Sequence, residues 1–297
     1  MLSFRNIQLE DRERVARILR AERGRGCEYT FGNILIWREV YQTEIAFVGD
    51  EGCVVYFGSA TSAYLFPTGT GNRKTVIEEM MADAARRGTP FKIIAAGPED
   101  IKALEALFPG RFSWHASRDY AEYVYNSDDL ICLPGKKYHG KRNHIAHFTK
   151  TYPDYRFEEI TPDNLAEVSA MNEAWYESYQ PDDGDDGLEQ EKRAAENAFR
   201  YFFELGFSGG LLRVDDEVIA FAAGEPINPQ TFCVHLEKAS HRIDGAYAVI
   251  NRDFARHFCQ QYHWINREDD VGREGLRRAK LSYHPAEITE KYVVTER

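Results

Sequence analysis

The predicted strands and helices occur in the same order in both halves of this 297-residue chain. In the first half, EIAFVGDEGCVVYFG (residues 44–58) contains two apolar runs joined by a Gly-Asp-Glu-Gly turn, which predicts a β-hairpin. The later elements of this half are, in chain order, a strand at 63–66, a helix at 73–87 that Gly88 ends, a buried strand at 91–97, a helix that begins at Pro98 and a strand at 121–126.

The second half repeats this order. Its predicted elements are a hairpin at 209–224, a strand at 231–239, a helix at 246–258, a strand at 262–268, a helix at 272–283 and a closing strand at 290–296. Each half also begins with a strand-like stretch followed by helices. The alternative is that any α/β chain divides into halves that look alike at this level.

The repeated order predicts a mixed α/β fold of two tandem domains, each a central mixed sheet with helices on both faces. An apolar content of 43% is enough to fill two such cores. We place the N-terminal domain at 1–130, a basic interdomain segment at 131–154 and the C-terminal domain at 155–297. Ligand sites form preferentially at domain boundaries, which draws attention to the basic segment.

The basic segment contains LPGKKYHGKRNHIAHF (133–148), in a chain whose formal net charge is −11. Such a concentration of like charge predicts an anion site, with Lys136, Lys141 and Arg142 as its ligands. The alternative is a solvated loop, which is the commoner role of a charge run. The acidity of the chain as a whole argues against binding of duplex DNA.

Several classes of protein are disfavoured by the sequence. The 5 cysteines are scattered and never form a CxxC pair, which argues against a disulfide framework and a thiolate zinc site. His144 and His147 have no acidic partner nearby in sequence, so we expect no metal. Charges near the N-terminus and the lack of a long apolar run lead us to expect a cytoplasmic protein without a transmembrane segment.

Three stretches of the chain resemble one family. They are LPGKKYHGKRNHIAHF, VHLEKASHRIDGAYAVINRDFA (234–255) and INREDDVGREGLRRAKLSYHP (265–285). They resemble a bacterial family of tandem GNAT proteins related to the C-terminal domain of phosphatidylglycerol lysyltransferase, and the resemblance covers essentially the whole chain. It implies an acyltransferase, active mainly through its second domain, that transfers an aminoacyl or acyl group to an amine or hydroxyl acceptor. The acceptor would be a small molecule or a lipid headgroup.

The resemblance also implies a donor site at the start of the helix at 246–258. GNAT enzymes bind the donor pyrophosphate there, and Arg242 and Gly245 match the family pattern. Tyr247 stands where a small residue belongs, which favours an aminoacyl-tRNA over a coenzyme A thioester as the donor. The alternatives are an acetyl-CoA-dependent N-acetyltransferase and a non-catalytic anion-binding module. GTGNRK (69–74) is the corresponding loop of the first half, and both loops could simply be turns.

Candidate catalytic residues lie at the strand ends of the second half. Glu237 and Lys238 must point to opposite faces of their strand, and Asp269 follows the next strand. We expect Glu237 and Asp269 to be catalytic, because paired carboxylates can accept a proton from an attacking amine. Tyr283, near the end of the last predicted helix, is the third residue that we expect to be catalytic. Lys238 and Lys280 are expected to bind substrate. Asp269 could instead cap the following helix, and Lys280 could be a solvated surface lysine.

Overall fold

The computed structural model of the protein describes residues 1–19, 22, 24–49, 52–178 and 186–297. The chain forms two compact units. Unit 1 comprises Met1–Glu122, Asp269–Arg277 and Ile288–Arg297. Unit 2 comprises Tyr123–Glu268 and Arg278–Glu287.

The strands are β1 (Arg5–Asn6), β2 (Thr43–Val48), β3 (Cys53–Gly58), β4 (Ala63–Tyr64), β5 (Thr68–Gly69), β6 (Lys92–Ala96), β7 (Phe112–Asn126), β8 (Arg156–Glu159), β9 (Ser208–Val214), β10 (Glu217–Asn228), β11 (Thr231–Ala239), β12 (Trp264–Asn266) and β13 (Glu287–Glu296). The helices are α1 (Arg12–Leu19), α2 (Phe31–Ile36), α3 (Arg38–Tyr41), α4 (Arg73–Arg87), α5 (Pro98–Leu107), α6 (Ser127–Cys132), α7 (His139–Thr151), α8 (Leu165–Ser178), α9 (Asp186–Arg200), α10 (Ala246–Phe258) and α11 (Glu274–Leu281). Short 3-10 turns occur at Leu9–Asp11, Cys27–Tyr29 and Lys136–Tyr138.

Unit 1 has a mixed sheet. Its strands β1, β2, β3 and β4 pair antiparallel in that order, β4 runs parallel to β6, and β13 pairs antiparallel with β6. The apolar face of α4 supplies Val76, Ile77 and Met80 to the core of this unit. The predicted helix ends are confirmed: Gly88 terminates α4 with a φ of +70°, and Pro98 begins α5.

Unit 2 is built on the same plan. Strands β8, β9, β10 and β11 pair antiparallel, and β12 runs parallel to β11. Phe232 of β11 stacks on Phe254 of α10 with ring centroids 5.8 Å apart, whereas Lys238 of the same strand contacts Trp175 of α8. Helices therefore cover both faces of this sheet, and the predicted mixed α/β fold is confirmed.

The strand that closes each predicted repeat pairs with a strand of the other predicted repeat. Residues 124–126 of β7 pair antiparallel with β12 inside unit 2, and β13 pairs with β6 inside unit 1. The two units consequently depart from the predicted boundaries at 130 and 155. Sequence patterns identify a strand but not its partner, since any strand edge with free N–H and C=O groups accepts any extended segment.

The basic segment at 131–154 is not a loop between the units. It belongs to unit 2, where it forms the end of α6, a 3-10 turn and α7. Gly245 allows α7 to pack closely against the start of α10, because a Cβ at this position would lie 2.6 Å from the backbone oxygen of His144. Gly245 also has a φ of +82°, which favours glycine.

Candidate active site

Strands β11 and β12 of unit 2 separate after a short parallel ladder. Their pairing covers Thr231–Trp264, Phe232–Ile265 and Cys233–Asn266. Beyond it the strands are joined by side chains: Arg267 Nη2 donates to Glu237 Oε1 at 2.8 Å. The other oxygen of Glu237, Oε2, accepts a hydrogen bond of 3.1 Å from Asn251 Nδ2 of α10.

Two polar atoms at this position are buried without a hydrogen-bond partner among the described residues. They are Arg267 Nη1 and Asn251 Oδ1. The amide of Asn251 must present its nitrogen to Glu237, so its oxygen is the atom left over. A buried polar atom without a partner costs about 1–3 kcal/mol. The pair therefore offers one donor and one acceptor to a ligand.

Lys141 of α7 adds a second positive charge. Its Nζ lies 3.9 Å from the centroid of the Tyr283 ring, and the Arg267 guanidinium lies 4.9 Å from the same centroid. Burial, together with the nearby charge of Arg267, lowers the pKa of Lys141 to about 8, although Glu237 acts in the opposite direction. We call Lys141, Glu237, Asn251, Arg267 and Tyr283 the Arg267 cluster. With two cations and one carboxylate, the Arg267 cluster favours an anion.

Lys280 contacts the backbone of Arg267 and so lies next to the Arg267 cluster. Its buried Nζ donates to the backbone oxygen of Arg267 at 2.5 Å, and its own backbone oxygen accepts from the Tyr125 hydroxyl at 2.8 Å. The backbone oxygen of Tyr283 likewise accepts from the Tyr138 hydroxyl at 2.8 Å. Burial raises the pKa of the Tyr283 hydroxyl, so this group stays protonated at neutral pH. Lys280 is thus placed to fix the backbone of Arg267.

Lys238 lies away from Glu237, on the face covered by α8 and α9. Its Nζ is 3.7 Å from the ring centroid of Trp175 and 2.5 Å from Glu191 Oε1. This geometry combines a cation–π contact with an ion pair. The structure therefore places the two neighbours on opposite faces, as strand alternation predicts, and only Glu237 joins the Arg267 cluster.

The residues of the basic segment have separate roles. Arg142 Nη1 donates to the backbone oxygens of Leu133 and Gly135, at 2.5 and 2.7 Å, and so fixes the turn before α7. Lys136 is exposed. Of the three predicted anion ligands, only Lys141 belongs to the Arg267 cluster.

The predicted donor residues Arg242 and Gly245 flank the start of α10. Arg242 is exposed, and Gly245 is the N-cap residue. Tyr247 accepts a hydrogen bond of 3.1 Å from Trp175 Nε1. In the GTGNRK loop of unit 1, the Glu22 carboxylate accepts hydrogen bonds from Gly69 N at 2.6 Å and from Arg73 Nη2 at 2.8 Å.

Asp269 belongs to unit 1, whereas Glu237 and Tyr283 belong to unit 2. The neighbouring Asp270 is fully buried, and its carboxylate pairs with Arg277 at 2.8 Å and accepts from Gly272 N at 3.0 Å. Asp270 therefore organises the turn that precedes α11.

A family comparison identifies the chain as a whole. The model of the family described as phosphatidylglycerol lysyltransferase, C-terminal, matches residues 20–295. The chain belongs to this family. No helix in the described part of the chain has the length and apolar character needed to cross a membrane.

Solved structures of similar proteins agree with this membership. A conserved protein of unknown function from Bacteroides thetaiotaomicron is 40% identical, has a TM-score of 0.95 and aligns over 100% of both chains. The L-PGS structure from Bacillus licheniformis has a TM-score of 0.66 at 15% identity, over 95% of this chain and 91% of that one. The C-terminal domain of a proposed lysylphosphatidylglycerol synthetase from Agrobacterium fabrum has a TM-score of 0.70 at 14% identity, over 96% of this chain and 91% of that one. The latter two likenesses concern the fold alone.

A curated relative, an uncharacterised protein of Mycoplasmoides gallisepticum, is 24% identical over 173 residues. The match covers 58% of this chain and 55% of the relative's length.

Two members of the Arg267 cluster, Asn251 and Arg267, were not predicted from the sequence. Asn251 interrupts the buried face of α10, where its neighbours Ile250 and Phe254 are apolar. A polar residue on an apolar helix face is a signal that could have been used. Arg267 lies among the charges of INREDD, and nothing in the sequence distinguishes it as the buried one.

Proposed function

We propose that this chain is an acyltransferase that transfers an aminoacyl or acyl group to an amine or hydroxyl acceptor at the Arg267 cluster. The observation that carries this proposal is a buried nitrogen of Arg267 that has no acceptor in the described part of the chain, together with the partly buried ammonium of Lys141. An anionic group between them would complete the hydrogen bonds of Arg267 and offset the burial of Lys141. A terminal phosphate of an aminoacyl-tRNA fits this chemistry.

Four members of the cluster have a direct role in the proposed reaction. Arg267 and Lys141 bind the anion of the donor, and Asn251 Oδ1 accepts a hydrogen bond from the acceptor or the aminoacyl group. Glu237 takes the proton from the attacking amine or hydroxyl and returns it to the leaving oxygen. The ester to the donor breaks as the new ester or amide forms, so atoms and protons balance.

The family supports one acceptor class in particular. Because the family is described by phosphatidylglycerol lysyltransferase, a lipid headgroup is the first acceptor to test, followed by small amines. The proposed donor is an aminoacyl-tRNA in preference to coenzyme A, because the Tyr247 ring stands where the GNAT pattern has a small residue.

A non-catalytic anion-binding module is the second candidate. Both Glu237 oxygens already accept a hydrogen bond, one from Arg267 and the other from Asn251. This favours a structural role for the carboxylate over a role as a base. In that case the Arg267 cluster would bind the same anions without turnover.

The test is a transfer assay with radiolabelled aminoacyl-tRNAs as donors. Vesicles that contain phosphatidylglycerol, and a panel of small amines, serve as acceptors, and labelled acetyl-CoA is run in parallel. The proposal expects label to move from tRNA to an acceptor. Transfer from acetyl-CoA alone would make the chain an N-acetyltransferase, and saturable tRNA binding without any transfer would support the binding module.

A further inference from the structure

A second cluster of reactive side chains lies in unit 2, outside the Arg267 cluster. The ligand atoms of Cys233, His235 and Glu268 all lie within 4.8 Å of one another. His235 Nδ1 is 2.7 Å from Glu268 Oε1, and Cys233 Sγ is 3.9 Å from the same oxygen. The His235 side chain is 1% exposed, and Cys233 is buried.

Two backbone irregularities bring these side chains together. The register between β10 and β11 shifts where Leu236 pairs with Ala223 and Val234 with Gly224, so His235 is an extra residue in the ladder. Such a bulge redirects a side chain. Glu268 has a φ of +56°, and its backbone N donates to the buried Asn266 side chain at 2.7 Å. A non-glycine residue in this conformation is held there by its surroundings.

The spacing is close to that of a metal site. Bond lengths of about 2.0 Å to nitrogen or oxygen and about 2.3 Å to sulfur put the ligand atoms of tetrahedral zinc about 3.2–3.8 Å apart. The observed 2.7 and 3.9 Å bracket this range, so small side-chain movements would admit an ion. Glu225 contacts the other nitrogen of the imidazole ring, with its Oε1 3.2 Å from His235 Nε2. A carboxylate on the far nitrogen orients a metal-bound histidine.

A comparable group in unit 1 shows the contrast. Cys27, Glu28 and Glu122 also lie close together, but the ammonium of Lys291 is placed 2.5 Å from Glu28 and 3.4 Å from Glu122. A lysine therefore supplies the cation in unit 1.

We propose that Cys233, His235 and Glu268 bind one divalent transition-metal ion of the zinc type, with Glu225 orienting His235. The ion replaces the proton on His235 Nδ1 and the proton on Cys233 Sγ, so binding releases two protons. The thiolate and the Glu268 carboxylate then balance the double charge of the ion. Three protein ligands leave one tetrahedral position open for water or a substrate oxygen. The sequence-based expectation of no metal rested on the absence of a CxxC pair and on His144 and His147, and neither observation concerns one cysteine, one histidine and one glutamate that only the fold brings together.

Cobalt titration of the purified protein tests this proposal. Co²⁺ bound by a thiolate gives a charge-transfer absorption band in the near ultraviolet, and we expect it to saturate at one equivalent and to be displaced by Zn²⁺. Cys233→Ala should abolish the band, while Cys259→Ala and Cys132→Ala, which alter cysteines outside the group, should retain it. Glu225→Gln keeps all three ligands and should weaken the affinity about 10- to 100-fold.

The wild-type titration decides the matter even if the Cys233 variant does not fold. Absence of a saturating band would overturn the proposal and leave His235 as an imidazolium between Glu225 and Glu268. A band that survives in folded Cys233→Ala, or that disappears in Cys132→Ala, would also overturn it. Because the readout is metal binding, its failure is distinguishable from failure of the proposed acyl transfer.

Discussion

Arg267 joins Glu237 through Nη2 at 2.8 Å, while its second terminal nitrogen, Nη1, is buried and has no acceptor among the described residues. One side chain thus fixes the carboxylate and offers an unused donor to a ligand. The guanidinium keeps its charge, because the effect of burial on the pKa of Arg267 is outweighed by Glu237. This arrangement accounts for the anion preference of the Arg267 cluster.

Replacement of Arg267 by lysine should weaken anion binding. Lysine retains the charge but lacks the planar guanidinium, whose two terminal nitrogens reach Glu237 and a ligand at separate positions. A lost hydrogen bond to a charged group costs about 1.5–3 kcal/mol, which is about 10- to 100-fold in affinity. The measurement is calorimetry with the trinucleotide CCA as probe. The matched control is Arg200→Lys, on an exposed position of α9. Equal affinity in wild type and Arg267→Lys would contradict this role.

The pKa of about 8 at Lys141 should be visible in its reactivity. At pH 8 about half of its amine is neutral, whereas a lysine with an ordinary pKa of about 10.4 is almost fully protonated. Limited acetylation with acetic anhydride, followed by mass spectrometry, should therefore label Lys141 at lower pH than the exposed Lys150 of the same helix. Anion affinity should fall as the pH rises through 8, since the charge is lost there. Identical labelling profiles would refute the depressed pKa.

Arg142 should matter for folding, and Lys136 should not. Arg142→Ala leaves the backbone oxygens of Leu133 and Gly135 without their donor, which we expect to lower the free energy of unfolding by about 0.5–1.5 kcal/mol. Lys136 is exposed, so Lys136→Ala should change it by less than about 0.5 kcal/mol. Urea unfolding measures both. An unaffected Arg142→Ala protein would show that the turn does not depend on these bonds.

Glu28 should make unit 1 less stable as the pH rises. Burial, together with the proximity of Glu122, raises the pKa of Glu28 from 4.5 to about 7, although Lys291 opposes the shift. Between these values the folded chain keeps a proton that the unfolded chain has lost. The free energy of unfolding therefore falls as the pH rises through this window and levels off above it.

The variant Glu28→Gln tests this pH dependence because its amide cannot ionise. Its unfolding midpoint, measured from pH 4.5 to 8, should decline less steeply than that of the wild type. Glu99→Gln is the matched control, since the Glu99 side chain is 83% exposed. Parallel curves for wild type and Glu28→Gln would disprove the raised pKa.

Local structure was predictable because local chemistry determines it. The bounds of β11 and α10, the turn at Asp215 and Asp216, and the ends of α4 all follow from periodicity and from residues that favour particular backbone angles. The pairing of the closing strands β7 and β13 was not predictable, because the sequence of an extended segment identifies a strand but carries no information about its partner.

The candidate site was predictable only in part, for a related reason. Glu237 was identified from its position at a strand end, Lys141 from the run of charges and Tyr283 from its place near the end of the last helix, and the three lie together in unit 2. Arg142 carries the same charge as Lys141 one position away, yet it points to backbone oxygens. Adjacent helix residues face different directions, so a run of charges cannot show which member reaches a site. Asn251 could have been noticed as a polar residue on an apolar helix face, whereas the burial of Arg267 emerges only from the tertiary structure.

The most direct test of the account is single-turnover aminoacyl transfer by wild type and Glu237→Gln, with donor affinity measured on the same preparations. The matched control is Glu173→Gln, on the exposed face of α8. General-base catalysis contributes about 10²- to 10⁴-fold, so the account predicts a loss of turnover of that size in Glu237→Gln with donor affinity within a few-fold of wild type. Turnover in Glu237→Gln equal to that of wild type and of the control would contradict it.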